Sequence, residues 1–408
     1  MRDTTFVDST LNGSNGSSAH AALLHASPRL LEQYQPESSV YFASPERALL
    51  AMPPFASLLV AGMQDLSQQA SESLKLARDL GFERPIVVGA LPFNTNEKPL
   101  LRVSIQSEWE ETPVKPQLTA VKAVDAESIS AYPAPEHYMA GVKDALTRFA
   151  RGELDKVVLS RTLEVSCKQR PDVKALLNNL AAKNHHGYTF AVDFPAEDGQ
   201  SKPATLIGAS PELLLSHRGN KIIANPLAGS EPRSSDPQED RQRAQQLLAS
   251  QKDRYEHAIV IEAVAEALRP FCRDLDIPEQ PELIQTETMW HLSTVIEGEL
   301  KNTDTSSLEL ALAMHPTPAV CGFPKAEAQQ AIKDIEPHQR GLFTGMVGWC
   351  DSAGDGEWVV TIRCAQIQDC AIRLYAGAGV VAGSCPEKEL AETGAKFNTM
   401  LQAMGVCI

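Results

Sequence analysis

The chain has no apolar run long enough to cross a membrane, and its opening residues, MRDTTFVDSTLNGSNGSSAH, lack the hydrophobic segment of a secretory signal. It has no long basic run either. With a formal net charge of −15, neither nucleic acid nor an anionic membrane is expected as a main partner. The eight cysteines form no CxxC pair and no zinc-like cluster with histidine. Most sit in apolar or strand-like surroundings, where a reduced cysteine behaves as a small hydrophobe. None of the histidines has a serine or cysteine partner in a nucleophile-elbow context, so covalent hydrolase chemistry is unsupported. No internal repeat recurs at a fixed period. A reducing cytoplasm is the expected location.

What is present is a long, core-forming chain: 408 residues, 43% hydrophobic. Residues 1–21 are rich in Ser, Gly, Asn and Thr and read as a loose tail. Residues 22–134 read as a strand-rich N-terminal part of the same domain, with runs such as SSVYFA, ASLLVAG and RPIVVGAL. TPVKPQLTAVKAVDAES reads as a surface connection, not a hinge. From 135 to 404 the texture changes. HYMAGVKDALTRFARG is an amphipathic helix and DKVVLSRTLEVS a strand; VKALLNNLAAKN and GYTFAVDF repeat that alternation. TLIGASPELLLSHRGNKIIANPLAGSEPR reads as strand, tight turn, strand, hairpin and strand. DPQEDRQRAQQLLASQKDRYEHAIVIEAVAEALRPF reads as one helical stretch of more than thirty residues starting at Asp236 and Pro237. GMVGWCDS, EWVVTIRCAQIQ and IRLYAGAGVVAGS return to strands. Irregular mixing of many strands with several long helices predicts an α+β fold.

The closing stretch, SCPEKELAETGAK, is a helix start: Ser384 with Glu387 fits a capping box, and Pro386 suits a first turn. Glu389, Glu392 and Lys396 then fall on one face. The KDRYEH helix offers a second pair at the same spacing, Asp253 and Glu256. Four converging acids repel one another unless the helices point apart or a cation sits between them; oxygen donors without His or Cys suit Mg²⁺. Arg363 in VVTIRCAQI either faces solvent or holds an anion, for which a planar fork suits a carboxylate. Lys156 poses the same choice at a strand entry. Glu212 follows a proline and precedes three leucines, a dry boundary that raises a carboxylic pKa. The glycines of AGAGVVAGS permit close backbone approach, in a spacing that is not a dinucleotide motif. His291 and His315 read as hydrogen-bonded structural groups or substrate-shaping walls.

In this order, DKVVLSR, GASPELLL, NPLAGS, KDRYEH, MWHLST, HPTPAVCGFP, RGLFTGMVGW, GEWVVTIRCA, YAGAGVV and ExxETGAK resemble the chorismate-utilising enzymes. The likeness is closest to isochorismate synthases of the siderophore, 2,3-dihydroxybenzoate type, relatives of anthranilate synthase component I and salicylate synthase. The resemblance implies one large α+β chorismate-binding domain with a two-layer sheet core flanked by helices. It implies Glu256 and Glu392 as direct Mg²⁺ ligands, with Asp253 and Glu389 in a second shell or bound through water. Lys396, Gly229 and Ser230 would hold the ring carboxylate, Arg363 and the Gly377 region the enolpyruvyl carboxylate, and His291 would contact substrate. Lys156 would be the general base and Glu212 the general acid as water adds at C2 and the C4 hydroxyl leaves. A monomer without a glutaminase subunit is expected.

Ala228 stands where aminodeoxychorismate synthases carry lysine, and Lys156 where anthranilate synthases usually lack it. Salicylate synthases share Lys156 and Glu212 but commonly have a threonine where this chain has Ala319 and Val320. A non-catalytic chorismate-binding protein would be expected to lose the acid or base.

Overall fold

A computed structural model describes residues 28–58, 63–111, 114–116, 123–184, 186–194 and 203–406. The expected tail at 1–21, the end of ASLLVAG and much of TPVKPQLTAVKAVDAES lie outside the described residues. Seventeen strands hydrogen-bond into one sheet and three into a small second one. All pairings among the described residues are antiparallel.

Strand Val40–Ala43 joins two halves of the large sheet, pairing with Arg47–Ser57 on one side and Tyr188–Phe194 on the other. The first half continues through Leu100–Glu111, Ile86–Leu91, Met346–Asp351, Gly356–Val360 and Leu213–Arg218. The second continues through Ala204–Ser210, Cys364–Gln368, Ala371–Val381 and Lys156–Cys167. Leu49, Val88, Val347 and Val359 of the first half share a buried cluster with Phe190, Leu206 and Tyr375 of the second. The sheet therefore folds back on itself into two layers. Each such side chain, fully buried, contributes about 1.5–3 kcal/mol.

Helices cover the outer faces. Leu177 and Leu180 of Val173–Lys183 and Phe397 and Met400 of Pro386–Met404 pack on Leu163, Ile207 and Leu374. Leu74 of Leu66–Asp79, Val260 and Leu268 of Gln251–Leu268 and Leu308 of Ser307–Met314 pack on Val87, Leu215 and Trp358. No helix among the described residues is long and apolar enough to cross a membrane.

The chain crosses between layers at Pro211–Glu212 and again at Thr361–Arg363. These crossings lie side by side: Val360 N donates to Glu212 O at 3.2 Å, and Ala209 N donates to Arg363 O at 3.0 Å.

Four local expectations are corrected here. The long helix is two, Pro237–Ala249 and Gln251–Leu268, because Ser250 leaves helical geometry and its hydroxyl accepts from Asp253 N to cap the second. EWVVTIRCAQIQ is two strands, Gly356–Val360 and Cys364–Gln368, separated by the crossing, where Arg363 adopts φ 49°. The capping box does not form. Cys385 occupies the N-cap, and the Ser384 hydroxyl instead accepts from Val381 N at 3.2 Å and donates to Glu389. TLIGASPELLLSHRGNKIIANPLAGSEPR also gains a fourth strand, Leu227–Pro232, which belongs to the small sheet with Met289–Ser293 and Glu282–Gln285.

Candidate active site

The two layer crossings, the small sheet and the two acidic helices surround a cavity that opens to solvent, with about 620 Å³ of space free of protein atoms when the solvent at its mouth is included. Its wall is built where strands Lys156–Cys167 and Ala371–Val381 pair with Gly379 opposite Val158 and Gly377 opposite Ser160. Side chains alternate across a strand, so AGAGVV turns Gly377 and Gly379 to the cavity and Ala378 to the packed side. The vacated space is used: a Cβ on Gly379 would stand 2.0 Å from Glu256 Oε1.

Of the twelve residues expected from sequence, Glu212, Gly229, Ser230, Glu256, His291, Arg363, Gly377, Glu392 and Lys396 line this cavity. Lys156, Asp253 and Glu389 do not line it. Lys156 lies behind Glu256, with Nζ 3.0 Å from Glu256 Oε1 and no exposed surface. Asp253 sits under Gly229, whose φ of 82° and missing side chain let the strand pass close to the Asp253 Cβ. Glu389 is buried against Lys252, Nζ to Oε1 3.0 Å.

Charges in the site are arranged in pairs. Lys396 Nζ reaches Glu392 Oε1 at 2.5 Å and donates to Gly377 O at 2.9 Å, while Ser230 Oγ donates to the same Glu392 oxygen at 2.9 Å. Arg363 Nη2 donates to His291 Nε2 at 3.2 Å. Burial, with Arg363 and Lys396 nearby, pushes the His291 pKa well below its ordinary value, so the ring is neutral and accepts this bond. Arg363 Nε is buried without a hydrogen-bond partner. An orphaned guanidinium donor in a cavity is a ready partner for an incoming carboxylate.

The acids divide in two. Burial pushes Glu212 up to about 7, against the Leu227 backbone N–H and the charges of Lys156, Arg363 and Lys396. Burial also acts to raise Glu256, but Lys156 and Lys252 outweigh it and hold the carboxyl below its ordinary value. One carboxyl is thus poised to hold a proton near neutrality while another is kept ionised, the separation an acid and a cation ligand each require. On the remaining acids, burial raises Glu389 to about 7 with help from Glu392, and raises Asp253 with help from Glu256 and Glu392.

Of the two histidines read as structural groups or substrate-shaping walls, His291 lines the cavity and His315 lies behind it, Nε2 donating to Pro92 O at 2.9 Å. His257 bonds Ala228 O and Thr294 Oγ1 behind the small sheet. Sequence reasoning missed Gly379 and the apolar wall of Val158, Phe343, Thr344 and Tyr375. Phe343 and Tyr375 stack with ring centroids 5.0 Å apart. The glycine alternation and RGLFTG were visible signals, but nothing in them names which neighbour the space serves. Arg340 was also missed; it is 4% exposed and donates to the carbonyls of Val158 and Val320, bracing two segments of this wall from behind.

Known proteins resemble this chain in sequence and fold. The profile of the chorismate binding enzyme family matches residues 93–405. Isochorismate synthase DhbC of Bacillus subtilis is 52% identical, over 92% of this chain and 96% of its own. Isochorismate synthase EntC of Escherichia coli K12 is 39% identical, over 90% and 94%. Among solved structures, a putative 2,3-dihydroxybenzoate-specific isochorismate synthase of Bacillus anthracis superposes with a TM-score of 0.88 at 51% identity, covering 93% of this chain and 99% of the other. Anthranilate synthase component I of Streptococcus pneumoniae shares the fold alone, with a TM-score of 0.63 at 18% identity, covering 97% of this chain and all of that one. The chain belongs to the chorismate-binding enzyme family.

Proposed function

We propose that this chain is an isochorismate synthase that reversibly converts chorismate to isochorismate and feeds 2,3-dihydroxybenzoate siderophore formation. The observation that carries the reading is the cavity holding Glu212, with a pKa near 7, together with two cations, Arg363 and Lys396. Chorismate brings two carboxylates and a hydroxyl that must leave as water. Arg363 takes the enolpyruvyl carboxylate with its partnerless Nε, at the Gly377 strand. Lys396, Gly229 and Ser230 take the ring carboxylate, and neutral His291 holds the Arg363 fork in plane.

Magnesium fits the donor set. Glu256, Glu392, Asp253 and Glu389 are hard oxygen donors: Glu256 and Glu392 raise the proton affinity of Asp253, Glu392 raises that of Glu389, and Lys156 and Lys252 keep Glu256 ionised. No three such groups converge among the described residues. Mg²⁺ keeps several waters and takes one or two carboxylates, so that arrangement suffices. Glu256 and Glu392 would hold it directly, Asp253 and Glu389 through water. When bound, it supplies positive charge for the ring carboxylate.

Two water molecules bracket the reaction, one entering at C2 and one formed from the C4 hydroxyl. Glu212 gives its proton to the departing oxygen. Lys156, acting as the neutral amine, takes a proton from the incoming water at Nζ; the ammonium so formed is the partner that Glu256 holds at 3.0 Å, and loss of that proton resets the base for the next turnover. Each transfer is worth about 10²–10⁴-fold in rate. The chain needs no glutaminase subunit, because water and not ammonia attacks.

The experiment is purified protein with chorismate and Mg²⁺, products separated and weighed by mass spectrometry. An isomer of unchanged mass, in equilibrium with chorismate and abolished by a chelator, is expected. Release of pyruvate with salicylate would overturn the reading in favour of the lyase. Binding of chorismate without any turnover would overturn it in favour of a sensor.

A further inference from the structure

Each of three acids around the site carries its own lysine: Glu256 has Lys156, Glu392 has Lys396, and Glu389 has Lys252. The first two lysines have work in the reaction. The third has none. Lys252 stands in the first turn of helix Gln251–Leu268, and its Nζ donates to Glu389 Oε1 at 3.0 Å across to helix Pro386–Met404.

The two partners are unequally placed. Glu389 is 1% exposed, whereas the Lys252 side chain keeps 33% of its surface in water. The carboxylate cannot leave the site without unfolding the helix face; the ammonium can swing out on its flexible stem. Ser384 holds the carboxylate from the other side. Glu389 is thus fixed, and its counter-charge is removable.

A divalent cation entering this acidic face meets Lys252 as a like charge. Either the lysine withdraws, and its pair is lost, or it stays and repels the ion. Both reduce the net gain from binding. We propose that Lys252 is a built-in counter-cation of the acidic face, which steadies Glu389 and competes with Mg²⁺ for it, so that the site releases the ion more readily than its carboxylates alone would. Lys252 is in this account a positioning residue, and the inference rests on the magnesium-dependent reading above.

The test measures Mg²⁺ binding directly, by calorimetry and by the dependence of melting temperature on Mg²⁺, in the full chain and in Lys252→Met and Lys252→Arg. Removing the charge is expected to tighten Mg²⁺ about tenfold and to lower the melting temperature without Mg²⁺ more than with saturating Mg²⁺. Lys252→Arg keeps a cation and is expected to stay within about twofold of the unaltered chain. Unchanged or weaker Mg²⁺ binding in Lys252→Met overturns the proposal, as does tightening in Lys252→Arg. Should the methionine variant fail to fold, Lys252→Gln removes the charge while keeping a polar group and is read by the same criteria. If the unaltered chain shows no response to Mg²⁺ by either method, the magnesium reading itself fails; a response that Lys252→Met leaves unmoved sinks only this inference.

Discussion

At the scale of single residues, Glu212 and Gly379 bear the sharpest predictions. Burial moves the Glu212 pKa from 4.5 up to about 7, so its proton is held in the folded chain over a window where the unfolded chain has lost it. That favours the fold below pH 4.5, and the advantage is lost as pH rises toward and past 7. Glu212→Gln should therefore gain stability relative to the unaltered chain as pH rises from 5 to 8, by up to about 3 kcal/mol for a shift of this size. The same substitution should lower turnover about 10²–10⁴-fold while chorismate still binds, and should remove the decline in rate expected above pH 7. A variant that keeps its rate would take the acid role away from this carboxyl. Gly379→Ala places a methyl 2.0 Å from Glu256 Oε1, so it should displace Glu256 from Lys156 and cost activity far more than its size suggests. Normal turnover and Mg²⁺ response in Gly379→Ala would mean that Glu256 has room to move.

Much of the site's chemistry was legible from residue types in order, because acids, lysines and an arginine inside apolar runs are costly unless used. What the order could not give was depth. Lys156 reads like any lysine at a strand entry, yet it stands one layer back from the cavity; for Asp253 and Glu389, which also stand back, residue type gave no sign and only the family resemblance pointed to a second shell. Gly379 was visible as one of a glycine series, but the carboxylate it accommodates comes from a helix more than a hundred residues earlier.

Elements show where local patterns mislead. LASQKD contains neither Gly nor Pro, so a single helix through Ser250 is the natural reading, yet Ser250 leaves helical geometry and its hydroxyl caps the new start. Ser250→Ala should cost about 1 kcal/mol, the ordinary value of a lost N-cap, and should weaken Mg²⁺ dependence because the freed first turn carries Lys252 and Asp253. Melting curves with and without Mg²⁺ check both parts; loss of stability with an unaltered Mg²⁺ response would contradict the second. EWVVTIRCAQIQ misleads differently: apolar flanks hide the layer crossing, and a non-glycine residue at positive φ carries no signature in sequence. The capping box at Ser384 failed because the hydroxyl has a stronger use, tying the Val381 amide to the Glu389 carboxyl.

On the scale of the whole molecule, the two-layer sheet ties the N-terminal strands to the site. Val40–Ala43 joins the halves, and Ile86–Leu91 lies against Met346–Asp351. A fragment of residues 135–408 should therefore fail to fold cooperatively, even though it contains every proposed catalytic and substrate-binding side chain. A soluble fragment with a sharp melting transition would show that the N-terminal part is dispensable. The overall charge of −15 opposes a dianionic substrate, and the site answers locally, with Arg363 and Lys396 lining the cavity.

The central claim is that water is the nucleophile and that the C4 oxygen departs. Turnover of chorismate in water enriched in oxygen-18 tests it most directly, by the mass of the isochorismate formed. Isochorismate two mass units heavier, labelled at the C2 hydroxyl, is the expected result. Unlabelled isochorismate would mean that the hydroxyl migrates within the substrate, and the roles given to Lys156 and Glu212 would fall with it.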